Sequence, residues 1–567
     1  MNNFIKHSFL ILLFVIGIIG QLAVISPSGT LRNGDLLFWS AHGHDAMWHI
    51  AVSNEIKQGF PFQNPVLAGE KLVNYHLFSD ILPAYLNKFL KFPSLTLYFW
   101  IMPLVYSFLL GLAAYLAGKE IGKSRISGLF SVLAVYFIGS FGYIVTLLQG
   151  RGIGGESLFW ATQVQSSIGN PPQILSDIFF LATIYCLAKY LKGNLHSTIP
   201  LILLLTFTSI AKVYAGMVIL PAFALLATYR LISHKKIDLL VVATISSLVS
   251  LGIYLPFSKG AGQYLILEPL WYARKIFSDT GRVGIQNFEL ITQHYQNLHS
   301  LKAKIGFARY DILGVLLIIF GNLGTRSLGF LAVPKFMRKN TQMGLFLLSC
   351  AILSLLIPIL FLQKGVATNT SQTLQYMLLI LSLFFALMSS EIFSKTKNIN
   401  LKIVMFTSII LLSIPTQIGL LYELYSRPAY AKIERSEIEA LNYLKNNSDK
   451  GAIIITPPYD SYLDTKDVPP PIWDWFDTSY VAAMSERSVY FADYEQVDIM
   501  GYDYKQRVIN QNLIFKETNN NQILNTLRSE KITFVYFPKT LKPKVDLSKV
   551  GLIKYFENDK VEIWEVI

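Results

Sequence analysis

Four of the nine histidines fall within 35 residues near the N-terminus, beside two aspartates. They stand in His42-Gly-His44-Asp45-Ala-Met-Trp48-His49 and in Asn74-Tyr75-His76-Leu-Phe-Ser-Asp80. A carboxylate set among imidazoles can take a proton from an attacking hydroxyl or orient it, and an imidazole can bind phosphate. Asp45 is the candidate base, with His44, His49, His76 and Asp80 as candidate substrate-binding groups. Asp45 and His49 are four apart, so a helix would put them on one face. His and Asp also suit a divalent metal, but their spacing matches no tight metal motif. The expectation is that no cofactor is required, with the metal left open. Helix capping and interfacial hydrogen bonding would explain the same residue types without chemistry.

A second group consists of cations and amides suited to phosphate or sugar. Lys212 interrupts a long apolar stretch, and Lys364 stands in Gln363-Lys-Gly365 ahead of polar Thr368–Thr373. Each can hold a phosphate as a point charge, or simply snorkel to an interface. The segment from Trp160 to Asp177 runs through Asn170-Pro171-Pro172 directly into apolar sequence. Proline suits the first positions of a helix, and a helix start can receive phosphate or sugar. Trp160, Asn170 and Gln173 are the contacts expected there. Other chemistries lack their motifs. Gly152-Ile-Gly154-Gly155 has no following Lys-Ser/Thr to make a phosphate-cradling loop, and no nucleophile elbow occurs. Cys186 and Cys350 cannot make a disulfide framework.

The elements that must position these groups are mostly membrane spans. Of 567 residues, 52% are hydrophobic and 15% charged, against about 25% charged in a soluble domain, and mean hydropathy is +0.43. Apolar runs near the length a span requires occur at roughly 9–25, 95–117, 126–148, 174–191, 238–257, 311–330, 343–363, 374–391 and 402–421. The stretch 198–232 is too long for one span and is broken by Lys212, Tyr214 and Gly216, which predicts two short helices meeting there. The total is about eleven.

Charge tests that count. With the N-terminus inside, the inner loops hold 16 basic and 3 acidic residues, the outer loops 15 and 12, and the part from Tyr425 onward 18 and 21. Positive charge collects inside, as it does in membrane proteins. The net charge of +13 is therefore a topology signal, and no nucleic-acid partner is expected. Residues 1–424 read as a transmembrane domain with long outer loops at 26–94 and 258–310. Residues 425–567 contain no span and read as a soluble α/β domain on the outer side. Its expected helix is Ser436–Lys445, and its expected strands are Gly451–Thr456, Ser488–Ala492, Ile532–Pro538 and Val561–Ile567.

A short tail, one span, and a long outer loop with an early acidic residue resemble the GT-C superfamily of membrane glycosyltransferases. The segment HDAMWHIAVSNEIKQGFPFQNPVLAGEKLVNYHLFSD is similar to first loops of bacterial members. The tail segments VAAMSERSVYFADYE, KITFVYFPKTL and KYFENDKVEIWEVI are similar to outer domains of such proteins. The resemblance implies a polytopic α-helical GT-C-like membrane protein with a C-terminal extracytoplasmic α/β domain. It implies transfer of a sugar from a polyprenyl-phosphate donor to an envelope glycan, lipid or protein acceptor, across the outer face of a bacterial cytoplasmic membrane. Asp45 matches the acidic residue that serves as base or contacts the acceptor. Two departures point away from the metal-dependent branch: Ala46 follows Asp45 where an acidic pair is common, and the second outer loop lacks Asp-x-Asp. The competing expectation is a transporter or assembly factor for envelope polysaccharide. The absence of internal repeats argues against it.

Overall fold

The structure is a computed structural model describing residues 3–259, 264–298 and 300–567. Residues 260–263 and 299 of the expected outer loop at 258–310 lie outside the described residues. Among the described residues, eight helices are long and apolar enough to cross a membrane. Two bent pairs, Leu301–Gly321 with Gly324–Lys339 and Ile399–Ser413 with Pro415–Ser426, pass the same test together. The shorter apolar helix Leu195–Ala211 stands beside them. Each of these pieces overlaps one expected span, but the expected spans 311–330 and 402–421 are bent by 90° and 43°, so eight to ten spans stand among the described residues against about eleven expected.

The chain divides into two compact units. Unit 1 holds Met1–Val24, Pro103–Pro256 and Gly262–Glu423; unit 2 holds Ile25–Met102, Leu424–Ile567 and a short piece at 257–261. The first outer loop thus belongs to the same compact body as the C-terminal residues, whereas a single cut between 424 and 425 leaves it with the spans.

Unit 1 is helical. Inside lipid no hydrophobic force drives one helix against another, so close backbone approach and hydrogen bonds must do it. Helices Met102–Gly122 and Arg125–Phe137 show how. A Cβ at Gly111 would overlap the Tyr136 hydroxyl, and one at Gly118 would overlap the Ser131 hydroxyl. Tyr136 donates to the Ser107 carbonyl at 2.5 Å. Helices Leu195–Ala211 and Val213–His234 meet at Lys212, whose backbone is extended (φ −154°, ψ 128°). Arg326, counted with an expected inner loop, lies among the helices. It is fully buried and donates to Gln163, Ser382 and the carbonyls of Ala134 and Ile138.

Unit 2 contains a five-stranded sheet in the order Ser488–Val489, Ile453–Ile455, Phe534–Pro538, Val561–Glu565, Ile553–Glu557. The first three strands are parallel and the last two pair antiparallel. Strand Ile553–Glu557 had no counterpart among the expected strands; the other four fall within their expected ranges, and helix Arg435–Asn447 covers the expected Ser436–Lys445. A second sheet joins Thr30–Arg32 and Asp35–Phe38 to Ala431–Ile433. Helix His42–Gln58 is buried along nearly its whole length. It packs on helices Phe78–Leu90 and Tyr480–Ser485. A helix covered on every side needs no apolar stripe, and this one has none.

Candidate active site

Within unit 2, Asp45 occupies the first turn of helix His42–Gln58, where the helix dipole favours a negative charge. Its neighbour His44 is held between two carboxylates. Nδ1 lies 3.3 Å from Asp45 Oδ1 and Nε2 lies 3.1 Å from Asp493 Oδ1. Both contacts are satisfied when the imidazole carries two N–H donors, that is, when it is charged. Burial pulls the His44 pKa down, but Asp493 and Asp45 outweigh it and raise the pKa well above the ordinary histidine value. Burial likewise works to raise the pKa of Asp45, and the His44 hydrogen bond with the charges of His44, His49 and His42 overcomes it, so the carboxyl stays below its usual range. Asp45 is therefore an ionised carboxylate at neutral pH. Its side chain is 36% exposed, against 8% for His44 and 0% for Asp493. One open carboxylate rests on a closed framework.

Asp493 is itself braced. Ser479 donates to its Oδ2. Asp477 accepts the backbone N–H groups of Asp493 at 3.0 Å and Tyr494 at 2.8 Å. Burial first, then the charge of Asp493, pushes the Asp477 carboxyl up to about 6. The ring of Phe476 meets the His44 ring edge-on at 5.1 Å.

One turn along the helix, His49 makes a second pair. Its Nδ1 is 2.8 Å from Asp80 Oδ1 and 3.2 Å from the Tyr75 hydroxyl, and its ring stacks on Tyr98 at 5.9 Å. Burial raises the pKa of Asp80 despite His49 and Ser79. His76 stacks on Tyr75 at 4.7 Å. The loop thus brings His44, His49, His76 and Asp80 into one neighbourhood with Asp45, and His44 alone among them bonds it. His42 has a structural role. Its Nδ1 is 2.9 Å from Ser28 Oγ, and burial, opposed by Asp45, lowers its pKa to about 4, so it is neutral.

Among the described residues, no group of three or more His, Cys, Asp or Glu side chains is placed to hold a metal ion. Asp493 explains part of this, since its oxygens already serve His44 and Ser479.

Unit 1 holds the second group. Asn170 caps helix Pro171–Leu191 by accepting the Gln173 N–H, with proline at the first positions as expected. Lys212 reaches Asn170 Oδ1 at 3.3 Å. Lys212 is buried. Its electrostatic neighbour is Asp177, whose oxygens accept from Gln173 at 2.9 Å and Gln375 at 3.1 Å. Lys364 is exposed. It follows Gln363, which accepts a hydrogen bond from Tyr214, two residues past Lys212. Trp160 goes elsewhere: the Arg282 guanidinium lies 4.1 Å from its ring, and Tyr272 packs at 6.0 Å. The expected loop at 258–310 accordingly packs onto the second outer loop, with Gln149 donating to the Val283 carbonyl at 2.8 Å.

Sequence reasoning passed over Asp177, Gln375, Asp477, Ser479 and Asp493. The signal for Asp177 was present, as a carboxylate inside an apolar run is costly and usually has a purpose. Asp493 gave none, because its partner lies 449 residues away.

No family model matches the chain, and no curated protein matches it. Solved structures do. The oligosaccharyltransferase AglB of Archaeoglobus fulgidus, in complex with an inhibitory peptide and a dolichol-phosphate, aligns over 95% of this chain and 70% of its own, at 13% identity and a TM-score of 0.53. The chain has the GT-C fold. The same archaeal enzyme tethered to an acceptor peptide aligns over 95% and 69%, at 13% identity and a TM-score of 0.53. ArnT of Cupriavidus metallidurans, bound to undecaprenyl phosphate, aligns over 99% and 98% at 9% identity, with a TM-score of 0.45. The match to AglB, over 95% of this chain, takes in both the spans and the sheet-bearing unit.

Proposed function

We propose that this protein is a membrane glycosyltransferase that moves a sugar from a polyprenyl-phosphate carrier to a hydroxyl of an envelope glycan, lipid or protein. The acceptor stands outside the bacterial cytoplasmic membrane. The observation that carries this reading is Asp45, an ionised and partly open carboxylate in the first outer loop, held by a charged and buried histidine. The GT-C fold supports it, and AglB, which shares that fold, was solved with a dolichol-phosphate.

In the reaction, Asp45 accepts a hydrogen bond from the acceptor hydroxyl, orients it and takes its proton as the new glycosidic bond forms. The low pKa makes Asp45 a weak base, so its main contribution is orientation and stabilisation of the positive charge developing on that hydroxyl. His44 is a positioning residue: held by Asp493, it fixes the rotamer of Asp45 directly. The bond from the anomeric carbon to the phosphate breaks, and direct displacement inverts that carbon. Lys212 and Lys364, with the start of helix Pro171–Leu191, are the groups proposed to receive the phosphate.

The test is paired. Profiling lipid-linked sugars in a deletion strain names the donor as the species that accumulates. Asp45→Asn should reach the membrane at wild-type level and restore no transfer. Normal envelope glycans in that strain would overturn the role of Asp45.

A further inference from the structure

Unit 1 contains a cavity that the transfer chemistry does not use. It lies where helices Met102–Gly122, Pro171–Leu191 and Val213–His234 end and helix Thr341–Leu360 begins. All four ends belong to loops expected on the inner side. The cavity volume is about 330 Å³, within the range of small-ligand sites.

Its polar groups suit an anion. The acid in the lining, Glu120, is already neutralised: Lys192 donates to its carboxylate at 2.6 Å and to its carbonyl at 3.1 Å. Lys123 also lines the cavity and pairs with no carboxylate among the described residues, so the lining keeps one uncompensated cation. Two further exposed lysines, Lys235 and Lys339, adjoin lining residues in sequence. The side-chain oxygen of Gln342 accepts from Arg230 at 2.7 Å, which turns its NH2 group toward His234 Nε2 at 3.0 Å. Nε2 therefore accepts, and Nδ1 of this lining histidine keeps the proton as a donor. Helix Thr341–Leu360 starts at the cavity with no side-chain cap. Its first N–H groups add to the donors, with the sign of the helix dipole that favours negative charge.

The apolar surroundings identify what carries the anion. Leu191, Phe336 and Met343 share the lining with the cations. Leu225 and Ile232, four residues before and three after the lining residue Tyr229, share its helix face and are 53% and 64% exposed. A phosphate in the cavity meets cations and N–H donors, and hydrocarbon chains attached to it meet an apolar helix surface. Basic pockets between spans take lipid headgroups in this way. We infer that this cavity seats the phosphate headgroup of an anionic phospholipid, from the leaflet that these four helix ends border. The inference is independent of the proposed reaction.

The test is native mass spectrometry of the full chain in detergent, titrated with phosphatidylglycerol, with phosphatidylcholine and with glycerol phosphate. Phosphatidylglycerol should bind about tenfold or more tightly than phosphatidylcholine. Lys123→Asn, which suits the left-handed backbone at that position (φ 49°), should weaken its binding about fivefold. Thr341→Glu sets a carboxylate in the first turn, which favours the helix and repels phosphate, and should weaken binding about tenfold. It decides the matter alone if Lys123→Asn fails to fold. Lys397→Asn, at an exposed lysine outside the lining, should bind as the wild type does. Equal affinity for the two lipids overturns the inference, and so does binding that survives both lining substitutions. An equal loss in Lys397→Asn overturns it by showing that overall charge alone attracts the lipid. Displacement of phosphatidylglycerol by equimolar glycerol phosphate overturns it in favour of a free phosphate compound.

Discussion

At the scale of single residues, the site is a charge balance in which His44 is the pivot. Its folded pKa is raised, so its pairing with Asp493 and Asp45 stabilises the protein fully below the unfolded histidine value near 6.5. That stability is lost as pH rises through the higher folded value. Asp45 behaves in the opposite sense: its depressed pKa gives stability above the ordinary carboxylate range, lost as pH falls through the folded value. Melting temperature should therefore decline from neutral toward alkaline pH in the wild type. Asp493→Asn removes the buried carboxylate and should flatten that decline. The same variant should lower the turnover of transfer while leaving donor affinity unchanged, because Asp493 acts on Asp45 only through His44. A melting profile with the same alkaline slope in both proteins would refute the role given to His44.

At the scale of elements, the legible features were local. Composition and period located all eleven apolar pieces, and the break near Ala211–Gly216 is the extended Lys212 between two helices. The illegible features were long-range pairings. Strand Asp35–Phe38 pairs with Ala431–Ile433, and no pattern within either segment names the other. The partners of Lys212 were hidden for the same reason: Asn170 and Asp177 lie on a different helix. Lys212→Met removes a buried donor to Asn170 and a charge beside Asp177, and should lower the melting temperature in detergent. Lys212→Met with Asp177→Asn should be less destabilised than the single effects add to, by about 1 kcal/mol or more. Thermal unfolding of the four proteins of that cycle measures it, and strict additivity would show the two side chains to be independent. Glycine gives a second element-scale prediction. A methyl at Gly118 overlaps the Ser131 hydroxyl, whereas one at Gly154 meets nothing within 4 Å. Gly118→Ala should lower the melting temperature and Gly154→Ala should leave it within error.

At the scale of the whole molecule, the question is which side of the membrane each part faces. The +13 of the chain is not spread evenly. The loops expected inside carry sixteen basic residues against three acids, with Arg326 among them buried, while the segment from Tyr425 onward is net acidic. Lysine and arginine near span ends set orientation because their loops resist translocation. With the N-terminus inside and the odd number of spans expected from the sequence, Leu424–Ile567 is proposed to lie outside. A substrate on a polyprenyl carrier in the outer leaflet requires the same placement for Asp45. Cysteine labelling tests it directly, since Cys350 is buried and Cys186 is only partly accessible, and both can be replaced to give a silent background. Tyr462 is 95% exposed, so Tyr462→Cys should react with a membrane-impermeant maleimide on intact cells. Lys397→Cys, in an inner loop, should react only after the membrane is opened. Labelling of Lys397→Cys on intact cells with protection of Tyr462→Cys would invert the topology. It would also move Asp45 to the side where the proposed donor does not present its sugar.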